Sequence, residues 1–242
     1  IEKNPDLWRR LVRRVRAGEM PPPGIPKPPV EQLNALVSFV QARLDGVQNS
    51  QGPDPGHVTA HRLNRNEYNN TVRDLLGVDS RPADRFPPDG GGGGGFDNNA
   101  STLFVPPILL EKYINAATEI VAAASVDRLF HIRPDAGKDE RAAALENLAW
   151  LAARAFRRPA PEEELDGLLA LYDSARKQGA SWEDAIRQSV RGLLVAPSFL
   201  FRVEQDRPGV EAQRVSDWEL ASRLSYFLWS TMPDESLFAL AQ

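Results

Sequence analysis

"HRLNRNEYNNTVRDLLGVD", residues 61–79, is the stretch that decides the fold. Asn64 stands three residues before Glu67, the spacing of a capping box. In that motif the Asn side chain accepts a first-turn amide and the Glu reaches back to the cap's own N–H. Tyr68, Val72, Leu75 and Leu76 then recur at helical spacing and share one face. Gly77 follows the last of them, where a residue tolerant of positive φ closes a helix. The stretch predicts one short amphipathic helix with both ends specified.

The same grammar repeats outward in both directions. Asn4-Pro5 reads as an N-cap followed by proline at the first helical position, opening a helix that Gly18 closes. Leu7, Leu11, Val12 and Val15 share its inner face, and the arginines of "WRRLVRRVR" fan out on the other. A second helix starts near Pro29 with Leu33, Leu36, Val37, Val40 and Leu44 on one stripe, and "DGVQNSQGPDPGH" reads as a linker. Pro107 opens a helix through Leu110, Tyr113, Ala117, Ile120, Val121 and Ala124. Leu145, Leu148, Ala149, Ala152 and Phe156 form the face of the next. Helices follow in "PAPEEELDGLLALYDSARKQG", whose acidic start and basic end suit the macrodipole, and from Ser181, with Ile186, Val190, Leu193 and Leu194 inward. "SFLFRVE" reads as either a helical turn or a strand. A second capping box, Ser216 to Glu219, opens a helix with Leu220, Leu224, Phe227 and Leu228 on one face. The expectation is an all-α protein of several small helical domains in series: 1–47, 57–126, 138–205 and 213–242.

Composition narrows the chemistry. The chain has 242 residues, a net charge of −4 and a pI near 5.5, so no global basic field advertises nucleic acid. No run approaches the length of a membrane span. The chain has no cysteine, which excludes disulfides, thiolate metal sites, a cysteine nucleophile and covalent haem attachment within it. It opens on isoleucine and ends in a helical pattern without a cap signal, which reads as an interior fragment.

Few side chains then remain as candidates. His57 and His61 have the spacing of two ligands on one helix face, but Pro55-Gly56 argues for a loop and a packing role. His131 has no evident partner. The six glycines of "PPDGGGGGGFDNN" lack the Lys-Ser/Thr pair of a phosphate loop. Asp89, Phe96, Asp97 and Asn98 around that run form a possible ligand loop, because binding groups concentrate on loops between ordered segments. The acidic start Glu162–Glu164 is explained by the helix dipole, and Trp218, Tyr226, Phe227 and Trp229 read as core or interface. Met20 is different. It is one of two methionines, and it stands at the lip of a loop stiffened by Pro21, Pro22, Pro23 and Pro26. Such a loop presents a thioether in a fixed position at low entropic cost, as either a gap-filler or a soft ligand for haem iron.

"LWRRLVRRVRAGEMPPPGIPKPPVEQLNALVSFVQ" resembles the C-terminal part of a cytochrome c domain of the kind found in planctomycete-type multidomain cytochrome proteins. The stretches beginning "HRLNRNEYNN", "LAWLAARAF" and "WELASRLSY" are similar to the helical domains of unknown function that follow the cytochrome there, in the same order. The resemblance implies that Met20 is the axial ligand of a c-type haem, with the Cys-x-x-Cys-His attachment upstream of Ile1. It implies an exported, periplasmic or extracellular protein that passes electrons to a redox partner. It carries over no catalytic residue. Two rivals stand beside it: a helical interaction or glycan-binding module with Met20 structural, and a hydrolase or lyase using Asp89 and Asp97.

Overall fold

A computed structural model describes residues 1, 3–50, 60–90, 97–134, 139–205 and 214–242. The chain divides into two compact units, Ile1–His57 and Val58–Gln242. The fold is all-α, and among the described residues the only sheet is a two-stranded one.

In the first unit, α1 (Pro5–Arg16) packs on α2 (Val30–Ser50) through Val12, Val37, Val40 and Leu44, with Ile1, Trp8 and Val15 against them. This is part of each predicted stripe. Leu7 and Leu36 are exposed instead, because two helices cover only the strip along which they touch. Asn4 occupies the N-cap position, yet its side chain makes no cap bond, so Pro5 alone marks the start. α2 also runs through Asp45–Ser50, which reads as linker in the sequence. Asp45 accepts a hydrogen bond from Gln41 one turn earlier, at 3.0 Å, the local support a polar helix end requires.

In the second unit, β1 (His61–Arg62) leads into α3 (Arg65–Leu76). Short 3₁₀ turns at Pro82–Arg85 and Ala100–Thr102 precede α4 (Pro107–Ala123) and α5 (Val126–Leu129). Then come α6 (Glu140–Ala155), α7 (Glu162–Lys177), α8 (Trp182–Val195) and α9 (Pro197–Leu200). β2 (Phe201–Arg202), α10 (Asp217–Trp229) and α11 (Glu235–Ala241) complete it. "SFLFRVE" is thus both things its sequence allows, a helical turn and then a strand. β2 pairs antiparallel with β1, His61 opposite Arg202 and Arg62 opposite Phe201.

α8 is the central helix and packs against α4, α6 and α7 with Ile186, Val190, Leu193 and Leu194 fully buried. Tyr68 of α3 gathers Phe86, Tyr113 and Phe199 around it at centroid distances of 5.3, 5.4 and 5.8 Å, the spacing aromatic rings prefer. Residues from 63 to 238 join in one continuous hydrophobic cluster.

Three predicted faces shift when the neighbours are in place. On α4, Leu109 is buried and Leu110 exposed. On α6, Leu145 is exposed while Asn147 is fully buried. The Asn147 amide donates to Leu129 O at 2.7 Å and accepts from Ile132 N at 3.1 Å, so its burial leaves nothing unpaired. His131, without an evident partner in sequence, stacks on Trp150 with centroids 4.3 Å apart. α10 is turned over: it buries Ala221, Ser222, Ser225 and Tyr226. Leu220, Leu224, Phe227 and Leu228 face out, Phe227 being 85% exposed.

Candidate functional site

Three arrangements bear on function, one in the first unit and two in the second. In the first, Gly18 at φ 72° ends α1 and turns the chain into the proline loop. Glu19 N donates back to Arg14 O at 3.0 Å and Ile25 N to Pro22 O at 3.3 Å, so both arms of the loop are tied. Met20 lies between these ties and is 36% exposed, whereas the other methionine, Met232, is 8% exposed in the second unit's core. Leu7, Ile25, Val30, Leu36 and Phe39 of the same unit are exposed as well. A thioether is a soft donor of the kind haem iron accepts. The cysteines that anchor a c-type haem are not in this sequence.

In the second unit, polar groups converge on the N-terminus of α3. The capping box forms as predicted: Asn64 Oδ1 accepts from Glu67 N at 2.8 Å and Glu67 Oε2 accepts from Asn64 N at 2.9 Å. Arg62 reaches Asp89 at 2.6 Å, both side chains 4% exposed. It also donates to Tyr113 Oη at 3.0 Å and Leu63 O at 2.9 Å. The second Asp89 oxygen accepts from Arg65 N at 2.8 Å. Asp97 accepts from Asn64 Nδ2 at 3.3 Å. Asp89 and Asp97 therefore meet at one helix end, with Asp89 engaged on both oxygens. Asn98 is exposed, and Phe96 and His57 lie outside the described residues. His61 is on a strand, not a helix, and stands 3.6 Å from Glu67, beyond hydrogen-bond distance. Burial pushes the Glu67 carboxyl up, but His61, Arg202 at 3.2 Å and the Asn64 amide outweigh it and hold it below the ordinary carboxylate value. Among the described residues no group of three or more His, Asp or Glu side chains is placed to hold a metal ion.

A cavity of about 460 Å³ opens where α6, α9, β2 and α10 meet. Phe156, Phe201 and Trp218 supply apolar wall, and five arginines, Arg157, Arg158, Arg202, Arg214 and Arg223, supply positive charge. Glu219 ties the two sides of its mouth by accepting from Gln205 N at 2.9 Å and Ser216 N at 2.7 Å. Sequence reading missed this site, since arginines in "FRRP" and "LFRVE" look like ordinary surface charge until β1 and β2 pair.

Residues 61–126 match the family described as PSD3, protein of unknown function (DUF1587). Residues 143–204 match PSD5 (DUF1595) and 215–242 match PSD4 (DUF1592), both also proteins of unknown function. The chain carries three PSD domains in series. That order fits a planctomycete-type multidomain family. The polar end of α3 belongs to the PSD3 segment, and the cavity lies between the PSD5 and PSD4 segments. No curated protein and no solved structure matches the chain. No helix among the described residues is long and apolar enough to cross a membrane.

Proposed function

We propose that this chain is part of an exported multidomain electron-transfer protein in which Met20 is the distal ligand of a c-type haem. The observation that carries the reading is the exposure of Met20 in a tied, proline-framed loop between two packed helices. A core gap-filler would be covered, as Met232 is. A thioether is a soft, neutral ligand that favours reduced iron and raises the potential. Its bond to iron is weak, so a preset position matters. Leu7, Leu36 and Phe39 would exclude water from the haem edge. The attachment cysteines and the opposite ligand would come from the parent polypeptide before Ile1. Export accompanies the haem, because c-type haem is attached outside the cytoplasm, and the three PSD domains would serve as a scaffold for substrate or redox partner.

The test is an absorption spectrum of the full-length protein from its own host beside Met20→Ala. A haem c spectrum whose weak methionine–ferric band vanishes in the variant is expected. A spectrum without haem, or one indifferent to Met20, would leave the interaction-module reading, which the uncovered apolar face of α10 favours.

A further inference from the structure

The geometry points to the arginine-lined cavity of the second unit as a binding site for a small organic carboxylate with an apolar body. This goes beyond the haem reading and does not depend on it. Its volume falls in the range of small-molecule sites, about 300–1,000 Å³. Among its five arginines, Arg158 pairs with Glu164 at 2.9 Å, Arg202 with Glu67 at 3.2 Å, and Arg223 with Glu204. Arg157 is 4% exposed and has no carboxylate partner among the described residues. Its guanidinium donates to Ser198 O, Phe199 O and Phe201 O at 2.8, 3.1 and 2.8 Å, and to Tyr226 Oη at 3.3 Å. These are neutral acceptors, so a full positive charge is buried without a counter-ion among the described residues, a costly arrangement. The backbone is strained at the same residue: Arg157 has φ 59°, where side chains other than glycine's are disfavoured. Such strain persists where the surroundings impose it and clusters at binding sites.

A second observation points the same way. Ser222 lines the cavity, is 9% exposed, and its buried hydroxyl has no hydrogen-bond partner among the described residues; neither has the buried Nε of Arg202. Unpaired buried polar atoms are rare and call for a partner. A carboxylate supplies what is missing: a negative charge beside Arg157, and an acceptor for Arg202 Nε and the Ser222 hydroxyl. Phe156, Phe201 and Trp218 then take the apolar body.

Benzoate and its uncharged isostere benzamide are the probes, titrated into the full chain while the Trp218 indole N–H is followed by NMR. Benzoate should shift that resonance saturably, and benzamide should not. Arg157→Gln, which removes the charge, should weaken benzoate about tenfold. Because Arg157 also holds the end of α9, Ser222→Ala is read beside it and should weaken binding about fivefold with the helix content unchanged. Equal binding of the two probes, or no saturable shift with benzoate, overturns the proposal. So does benzoate binding that appears only after Asp206→Asn and Glu211→Gln, since the chain's own acids would then serve these arginines.

Discussion

α3 and α10 are opened by the same device and end up in opposite environments. Each begins with a complete capping box, Asn64 with Glu67 and Ser216 with Glu219. Each carries an apolar stripe at helical spacing. On α3 the stripe is the buried face: Tyr68, Val72, Leu75 and Leu76 are at most 2% exposed. On α10 it looks outward, and the helix is held by its small and polar side. Tyr226 Oη meets Thr71 Oγ1 at 2.8 Å, and Ser225 Oγ donates to Thr231 O at 2.6 Å. At the turn beyond, Ser230 O accepts from Asn70 Nδ2 at 3.1 Å. Capping is a local property and transfers between helices. Burial depends on what lies opposite: α3 faces Phe86, Tyr113 and Phe199, whereas α10 meets the Thr71 hydroxyl of α3.

The comparison can be broken hardest at the root of α3. Asp89→Ala strands the buried Arg62 and uncaps Arg65 N, and should lower unfolding free energy by about 3–5 kcal/mol, read by urea denaturation. Leu76→Ala should cost about 2–5 kcal/mol by opening a cavity in the core. Removing either cap, Asn64→Ala or Ser216→Ala, should cost about 0.5–2 kcal/mol. A larger loss for Asn64→Ala is expected, because its amide also holds Asp97. Glu67 sharpens the contrast through pH. Its folded carboxyl titrates below the ordinary 4.5, so its stabilisation is fully present above that value and is lost as pH falls through the folded value. Glu67→Gln should therefore flatten the acid limb of stability against pH. The smallest effect is expected on the outer face of α10, where Phe227→Ser should change stability by no more than about 0.5 kcal/mol. A large loss there would mean that the stripe is covered in solution.

Local chemistry in the sequence was enough to place most of the helices. Asn64, Gly77, Ser181, Ser216 and the prolines act on their own turns, within a few residues, so their effects survive any packing. The same locality let Met20 be singled out, since a proline-stiffened loop is visible as composition. It failed at Asp45–Ser50, where turn-forming residues continue a helix, and at Asn4, whose side chain makes no cap bond. Which faces are buried was only partly legible. Leu36, Leu110, Leu145 and Leu224 satisfy the periodicity as well as their buried neighbours do. Periodicity fixes a stripe to within about one residue's rotation, and the neighbouring helix chooses within it.

The cavity was not legible at all. Arg157, Arg202 and Ser222 come from three separate elements, and nothing in their local sequence distinguishes them from solvated residues. They become a site because β1 and β2 pair across the chain, carrying Arg202 to α3, and because the carbonyls at the end of α9 draw Arg157 inward. The sequence alone determined an all-α chain, most of its helix ends and a proline-stiffened methionine loop, because caps, prolines and glycines act on the backbone beside them. Only the tertiary structure decided which stripes are covered and where, among the described residues, charge is buried without a counter-ion, because burial and Coulomb interactions depend on groups far apart in sequence and close in space.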